Sequence, residues 1–230
     1  MCLEVVYGKG FIEGIRGKMW RVLRSIYRKV ESCVVVNGVQ TDWFPVDTGV
    51  RQGCVLSPLL YALFINGLVK QLNNTKLGVE IGPGTLLGSL LYADDIVLIS
   101  ENKSNLQCML NLVSSYSKKW KFELNPKKSE VVIFGLRDPR TTTKFRLGES
   151  ELRIVSQYKY LGIELTRTLN WKNTRKEFLR RQKKNMIQTW AMGISGGFLS
   201  SKLCIIVYTS LVRSVLEYGC DMGRVSTSRF

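Results

Sequence analysis

Asp94 and Asp95 stand side by side between two apolar runs, residues 86–92 and 96–100. Like charges held close in an apolar setting raise each other's pKa and cost stability, unless a cation lies between them and the solvent. Mg²⁺ takes hard oxygen ligands and keeps positions open for phosphate oxygens and water. In two-metal phosphoryl transfer, ions about 3.5–4 Å apart activate the attacking hydroxyl and stabilise the leaving oxygen. Such a pair needs a tight turn, because successive strand residues otherwise point to opposite faces. The competing reading is a solvated turn, since aspartate is a favoured turn residue, and for a bare Asp-Asp that reading is the default. The context reverses it. Tyr92-Ala93-Asp94-Asp95 alone occurs by chance on the order of once in a thousand chains, and the flanking apolar strands make it rarer.

The elements that must hold this pair can be read from periodicity and turn chemistry. A helix is expected from Gly17, with Trp20, Leu23, Tyr27 and Val30 on one face and Lys18, Arg21, Arg24 and Arg28 on another. Cys33 to Val36 reads as a strand, Asn37-Gly38 as a type I′ turn, and residues 39–44 as the returning strand. Residues 47–53 read as loop. Ser57 then serves as N-cap and Pro58 as first-turn proline of a helix running to about Leu72, apolar nearly all round and therefore expected to be buried. Residues 78–84 are turn-rich. A second helix is expected from Ser104 to about Trp120, then strands at 131–134, 151–155 and 158–165. From Trp171 the character changes: Arg175, Lys176, Arg180, Arg181, Lys183 and Lys184 crowd one helix, with Glu177 the lone acid. A last, mostly apolar helix spans about 200–217. A soft boundary near residue 168 separates a mixed α+β part from a helical one.

The composition narrows the chemistry. The chain carries 34 Lys and Arg against 18 Asp and Glu, a formal charge of +16. That surplus calls for a polyanion, either nucleic acid or an acidic membrane surface. The chain has no histidine and no Cys-x-x-Cys pair, which argues against finger-type zinc sites and His-based triads. Six well-spaced cysteines read as buried reduced thiols of an intracellular protein, cytoplasmic or nuclear. No signal peptide opens the chain, and no apolar run reaches the ~18 residues of a membrane span, so no membrane partner is expected.

At Tyr92-Ala93-Asp94-Asp95 the chain resembles the catalytic motif C of reverse transcriptases, most closely those of LINE-type (non-LTR) retrotransposons. Residues 49–59, Gly-Val-Arg-Gln-Gly-Cys-Val-Leu-Ser-Pro-Leu, are similar to motif B of that family. Residues 124–130, Leu-Asn-Pro-Lys-Lys-Ser-Glu, are similar to motif D, and Tyr160-Leu161-Gly162 to the primer-grip motif E. Residues 211–219 resemble the thumb helix that comes after it. The resemblance implies an α+β fold: a polymerase palm with an antiparallel sheet backed by helices, then a helical thumb-like segment. It implies residues 1–30 as a fingers–palm remnant with a basic helix, 31–168 as palm and 169–230 as thumb.

The same resemblance implies the site. Asp94 and Asp95 would be the catalytic carboxylates and ligands of Mg²⁺ or Mn²⁺. Arg51, Gln52, Gly53 and Tyr92 would face template and incoming nucleotide, with Gly53 letting backbone approach where a side chain would clash. A simple loop glycine is the alternative there. Lys128 would lie near the pyrophosphate as charge stabiliser or proton donor, or be an ordinary surface lysine. Tyr160, Leu161 and Gly162 would hold primer backbone, with a plain β-turn as the competitor. Arg175, Lys176, Arg180, Arg181, Lys183 and Lys184 would track duplex phosphates, or form a solvated face. The partners implied are an RNA template with a DNA primer, or an RNA–DNA duplex, and deoxynucleoside triphosphates if the chain is active.

One family element is missing. Motif A, with its aspartate, should precede motif B, yet no aspartate occurs before Asp42. Residues 14–20 resemble the family segment just downstream of motif A, so the chain is expected to begin after that motif or to have lost it. Polymerase activity is then expected to be reduced by orders of magnitude. Residues 3–7 could fill the strand position, with Glu4 supplying a carboxylate. Three functions stay open: a reverse transcriptase domain of impaired activity, a non-catalytic nucleic-acid-binding protein, and a relic that does not fold stably.

Overall fold

The computed structural model describes residues 15–46, 53–135, 143–191 and 200–218. Glu4 with residues 3–7, Arg51, Gln52 and the polar end at 224–230 lie outside the described residues. The fold is mixed α+β, built from helices and several small, mainly antiparallel sheets. It divides into two compact units, residues 1–128 with 145–152, and residues 129–144 with 153–230.

The first unit opens with α1 (Gly17–Tyr27). Its expected stripe is real: Leu23 and Tyr27 are buried and pack with Leu60, Trp20 and Val30, while Lys18, Arg21, Arg24 and Arg28 are exposed. A hairpin arm comes next, in which β1 (Glu31–Ser32), β2 (Val35–Val36), β3 (Val39–Gln40) and β4 (Phe44–Pro45) nest as two antiparallel pairs. Asn37 and Gly38 turn it with φ of 52° and 80°, the left-handed pair that a type I′ turn requires. The expected single return strand over 39–44 is broken after Thr41, whose N–H still donates to the Val34 carbonyl at 3.0 Å, and strand pairing resumes at Phe44.

α2 (Ser57–Thr75) is the central helix. Ser57 is its first helical residue rather than its N-cap. The chain already turns at 54–56, where Ser57 N–H donates to the Cys54 carbonyl at 3.2 Å and Leu60 N–H to the Leu56 carbonyl at 2.9 Å. Nor is α2 buried all round: Leu60, Phe64, Ile65, Leu68 and Leu72 point inward, but Leu59 is 58% exposed. The turn-rich stretch after it contains β5 (Val79–Gly82), paired with β6 (Thr85–Leu87). Gly78 is required there by close approach, since an added methyl would stand 2.5 Å from the Leu87 carbonyl carbon. β7 (Ser89–Tyr92) and β8 (Asp95–Leu98) form the next hairpin.

α3 (Lys103–Trp120) starts one residue before Ser104, because Asn102 caps it by accepting from Asn105 N–H at 2.9 Å. α2 and α3 share the main core of Phe64, Ile65, Leu68, Leu72, Met109, Val113 and Tyr116. Tyr116 crosses between them, its hydroxyl donating to the Phe64 carbonyl at 3.2 Å. Phe64 and Tyr116 also meet Trp120 and Phe122 as edge-on and tilted rings with centroids 5.8–6.1 Å apart, a spacing at which aromatic pairs attract.

Past α3 come β9 (Glu130–Val132), β10 (Phe145–Leu147) and β11 (Ser150–Val155). In the first unit β10 pairs with the start of β11, and Gln107 of α3 brackets Arg146, accepting from its N–H at 2.9 Å and donating to its carbonyl at 2.8 Å. Sequence periodicity does not signal β10, a three-residue strand.

In the second unit Arg153–Val155 of β11 runs parallel to β9. β12 (Gln157–Tyr160) and β13 (Ile163–Thr166) form a hairpin where the sequence suggests one continuous strand over 158–165. Leu161 and Gly162, at φ of 46° and 82°, turn the chain back. α4 (Lys172–Ala191) is the next element. The last helical stretch comprises α5 (Ser201–Tyr208), a π-helical turn at Thr209–Arg213, and α6 (Ser214–Glu217). Hydroxyls accompany that turn: Thr209 donates to the Ile205 carbonyl at 2.8 Å and Ser214 to the Ser210 carbonyl at 2.6 Å, competing with the ordinary ladder. Asn185 ties α4 to it, its amide donating to the Leu211 carbonyl at 2.8 Å.

Among the described cysteines, Cys33, Cys54 and Cys204 are half-buried and Cys108 is exposed, all as free thiols. The expectation that they are buried is corrected, because wide sequence spacing carries no information about burial. Among the described residues no helix is long and apolar enough to cross a membrane.

Candidate active site and nucleic-acid interface

The β7–β8 hairpin carries Asp94 and Asp95, and its register decides where they point. Leu91 pairs with Ile96 and Tyr92 with Asp95. Side chains alternate across a sheet, so Leu91, Ile96 and Leu98 share the face packed on the α2–α3 core. Leu90, Tyr92, Asp95 and Val97 take the opposite face. There Tyr92 is 63% exposed and Asp95 is exposed. Ala93 and Asp94 make the two-residue turn, with Ala93 at φ 49°. A left-handed alanine costs about 1–2 kcal/mol, and backbone strain of this kind concentrates at functional sites.

Both carboxylates are thus held at the exposed tip of a hairpin whose other face is anchored in the core. Among the described residues neither carboxylate has a hydrogen-bond or ion-pair partner. Adjacent, solvent-reachable, uncompensated carboxylate oxygens are the donor chemistry a hard divalent cation takes. Among the described residues no three Asp, Glu, Cys or His side chains are grouped so that they could hold a metal ion, so Asp94 and Asp95 offer two protein carboxylates and would leave the other positions to water and phosphate.

Lys128 belongs to the same unit. It closes a turn over Asn125-Pro126-Lys127, its N–H donating to both the side-chain and main-chain oxygens of Asn125 at 3.2 Å. Phe122 and Leu124, which lead into that turn, pack on the core that anchors the β7–β8 hairpin. Gly53 takes φ 80° with open space where a Cβ would stand, so its conformation, not crowding, calls for glycine.

In the second unit the Tyr160-Leu161-Gly162 turn is braced by Tyr218, whose hydroxyl donates to the Leu161 carbonyl. Tyr218 in turn meets Phe178 of α4 edge-on, with centroids 6.1 Å apart. Sequence reasoning does not reveal these two aromatics as a brace for the turn. A partner 57 residues away along the chain leaves no local signal. Beside the turn lies a cavity of about 420 Å³ lined by Glu130, Tyr158, Lys159, Glu164 and Glu177, among others.

Arg175, Lys176, Arg180, Lys183 and Lys184 of α4 are exposed and Arg181 is half-buried. They do not share one face, since steps of 100° spread them over more than half the helix circumference. Glu177 engages two of them: Arg180 donates through Nε at 2.9 Å and through its terminal nitrogen at 3.0 Å, and Arg181 through Nε at 2.9 Å. These bonds, Arg180 first, hold the Glu177 carboxyl down at about 2. The pairs are exposed and contribute little to global stability, but they orient two guanidinium groups.

This pairing makes α4 sensitive to acid. With its folded pKa depressed below the ordinary 4.5, Glu177 supports α4 fully above that ordinary value and loses its contribution as the pH falls through about 2. NMR titration is expected to find the Glu177 carboxyl ionised at pH 3, and Glu177→Gln to flatten the acid limb of the α4 helix signal. An ordinary carboxylate titration near 4.5 would contradict the paired geometry.

Comparison with known proteins adds to this geometry. Residues 14–165 match the family model described as reverse transcriptase (RNA-dependent DNA polymerase). The chain is 27% identical over 162 residues to the retrovirus-related Pol polyprotein from type-1 retrotransposable element R2 of Popillia japonica, covering 67% of this chain and 27% of that protein. It is 29% identical over 163 residues to the RNA-directed DNA polymerase from mobile element jockey of Drosophila melanogaster, covering 67% of this chain and 17% of that protein. Against the probable RNA-directed DNA polymerase from transposon BS of Drosophila melanogaster it is 33% identical over 185 residues, or 77% of this chain and 20% of that protein. The chain therefore spans about a quarter or less of the length of these relatives.

Proposed function

The chain belongs to the reverse transcriptase (RNA-dependent DNA polymerase) family of LINE-type, non-LTR retrotransposons, and from that premise we propose that it is the palm and thumb of an RNA-directed DNA polymerase whose own catalytic power is impaired. The observation that carries this reading is the β7–β8 hairpin, which holds two uncompensated carboxylates, Asp94 and Asp95, at an exposed and strained turn.

In this reading residues 31–168 are palm, with the α2–α3 core behind the β7–β8 hairpin, and residues 169–230 are thumb. Asp94 and Asp95 would hold Mg²⁺ or Mn²⁺, which when bound would supply charge neutralisation for the attacking 3′-hydroxyl and the departing pyrophosphate. Tyr92, on the same hairpin face as Asp95, lies by the primer end. Gly53, with Arg51 and Gln52, faces the template base and incoming nucleotide. Lys128 steadies the pyrophosphate charge or hands it a proton. Tyr160, Leu161 and Gly162 grip primer backbone, and Arg175, Lys176, Arg180, Arg181, Lys183 and Lys184 meet duplex phosphates. Within these 230 residues no aspartate precedes Asp42, so Asp94 and Asp95 would hold the ion here without a third carboxylate from the motif A position, and this is the sense in which the reading has catalysis impaired.

That shortage, with a formal charge of +16, favours a second reading: a nucleic-acid-binding protein without catalysis. Primer extension on an RNA template with Mg²⁺ or Mn²⁺ separates the two. Extension that disappears with Asp94→Ala supports the polymerase. Duplex binding that weakens steeply with salt, without extension, supports the binder.

A further inference from the structure

Tyr218 closes α6, its N–H donating to the Ser214 carbonyl at 3.2 Å, yet its side chain works elsewhere. The hydroxyl donates to the Leu161 carbonyl. The ring lies beside Gly162, where an added methyl would stand 3.7 Å from Cε1. Phe178 of α4 meets the same ring edge-on. Phe178 and Tyr218 also line, with Arg181 and Lys184, an open groove of about 540 Å³. The two aromatics therefore join the β12–β13 turn to the helix that carries the cations.

That turn does not hold itself. β12–β13 is a two-stranded hairpin closed by two residues, with Tyr160 paired to Ile163, and such a hairpin is marginal without outside support. Its first turn residue is a leucine at φ 46°, a region unfavourable to any side chain.

The Leu161 carbonyl and the Gly162 N–H belong to one peptide unit. In a trans peptide the two point in opposite directions. With the carbonyl fixed on the Tyr218 hydroxyl, the Gly162 N–H is turned away from Tyr218 and kept there. A flip of that peptide would break the hydroxyl bond and reverse the N–H. Donation to the carbonyl also polarises the N–H of the same amide. Among the described residues the Gly162 N–H has no partner of its own, and a phosphate oxygen accepts from such a group.

We propose that Tyr218 is a positioning residue for the Tyr160-Leu161-Gly162 turn, fixing the Leu161–Gly162 peptide so that its N–H is presented to a phosphate of the primer strand. The inference rests on the reading of that turn as a primer contact, and adds the distant side chain that orients it.

Amide exchange at Gly162, followed by NMR in the full chain with and without a DNA primer annealed to an RNA template, tests this. In the unaltered chain the duplex is expected to slow Gly162 exchange about fivefold or more, the factor that one ordinary hydrogen bond supplies. Tyr218→Phe keeps the ring and its contact with Phe178 but removes the hydroxyl. It is expected to reduce that slowing to less than about twofold. Its duplex affinity is expected to stay within about twofold, because cations carry it, and its thermal midpoint within about 4 °C. Strand amides of β12 and β13 are expected to keep their protection in the variant. Tyr208→Phe, at an exposed tyrosine earlier in the same helical stretch, is expected to behave as the unaltered chain does. Equal slowing at Gly162 in Tyr218→Phe and the unaltered chain overturns the proposal and leaves the turn a primer contact. Duplex that binds the unaltered chain without slowing Gly162 overturns the primer reading itself, and the proposal with it. General loss of β12–β13 protection in Tyr218→Phe would make the residue a structural support only, and overturns the proposal as well.

Discussion

Replacing Asp94 by alanine is expected to cut primer extension about 10³-fold or more, corresponding to several kcal/mol of lost electrostatic stabilisation of the transition state. Duplex affinity at fixed salt is expected to stay within about twofold, because phosphate binding rests on cations. The asymmetry comes from the hairpin. Asp94 sits in the turn, exposed and without a partner among the described residues, so its removal costs the fold nothing that packing or hydrogen bonding supplies. Where extension by the unaltered chain is too slow to measure, Mn²⁺ binding followed by electron paramagnetic resonance replaces it: the unaltered chain binds the ion and Asp94→Ala loses it. Undiminished Mn²⁺ binding by the variant would remove the metal role from this hairpin.

Leu68→Ala is the largest expected effect on stability, a loss of about 3–5 kcal/mol from transfer and cavity terms together. Leu68 is fully buried at the middle of α2, within the cluster that includes Phe64, Leu72, Met109 and Val113. The hairpin residues Leu91, Ile96 and Leu98 pack on the same cluster, so the loss is transmitted to the element that carries the carboxylates. The exposed neighbour Leu59 serves as reference, since Leu59→Ala is expected to cost less than about 1 kcal/mol. Urea midpoints at unchanged slope measure both. Equal losses at the two positions would mean that α2 does not bury the face described.

The range of each interaction decides how much of the fold and site is legible in the sequence. Asn37-Gly38 announces its turn because both residues tolerate left-handed backbone. The Leu161-Gly162 turn is signalled only by its glycine, as a plain β-turn that competes with a continuous strand, since leucine at φ 46° opposes its own preference and is held by Tyr218 from 57 residues away. The Asp94-Asp95 site is legible as an electrostatic oddity inside apolar runs, and the hairpin places it at a turn between paired strands. The helix cap expected at Ser57 is displaced because the turn at 54–56 is made by backbone groups, which side-chain identity does not report. Glu177 stands out as the lone acid of its helix, yet its grip on Arg180 and Arg181 at positions three and four onward leaves part of the basic surface internally neutralised. Thiol exposure is not legible, because spacing encodes connectivity and not depth.

The strand pairings also carry a consequence for how the chain acquires its structure. β2–β3, β5–β6, β7–β8, β10–β11 and β12–β13 each join neighbours in sequence, and β1–β4 only encloses one of them. Short loops close at small entropic cost, so these hairpins form on the microsecond scale. The parallel β9–β11 ladder is different: its strands are separated by β10 and some twenty residues, a closure whose cost must be met before its contacts help. In pulsed amide exchange during refolding, protection is expected first across β7–β8 and last across β9–β11. The turn that carries Asp94 and Asp95 would then be assembled early, by local chain geometry, before the slowest ladder of the chain has closed.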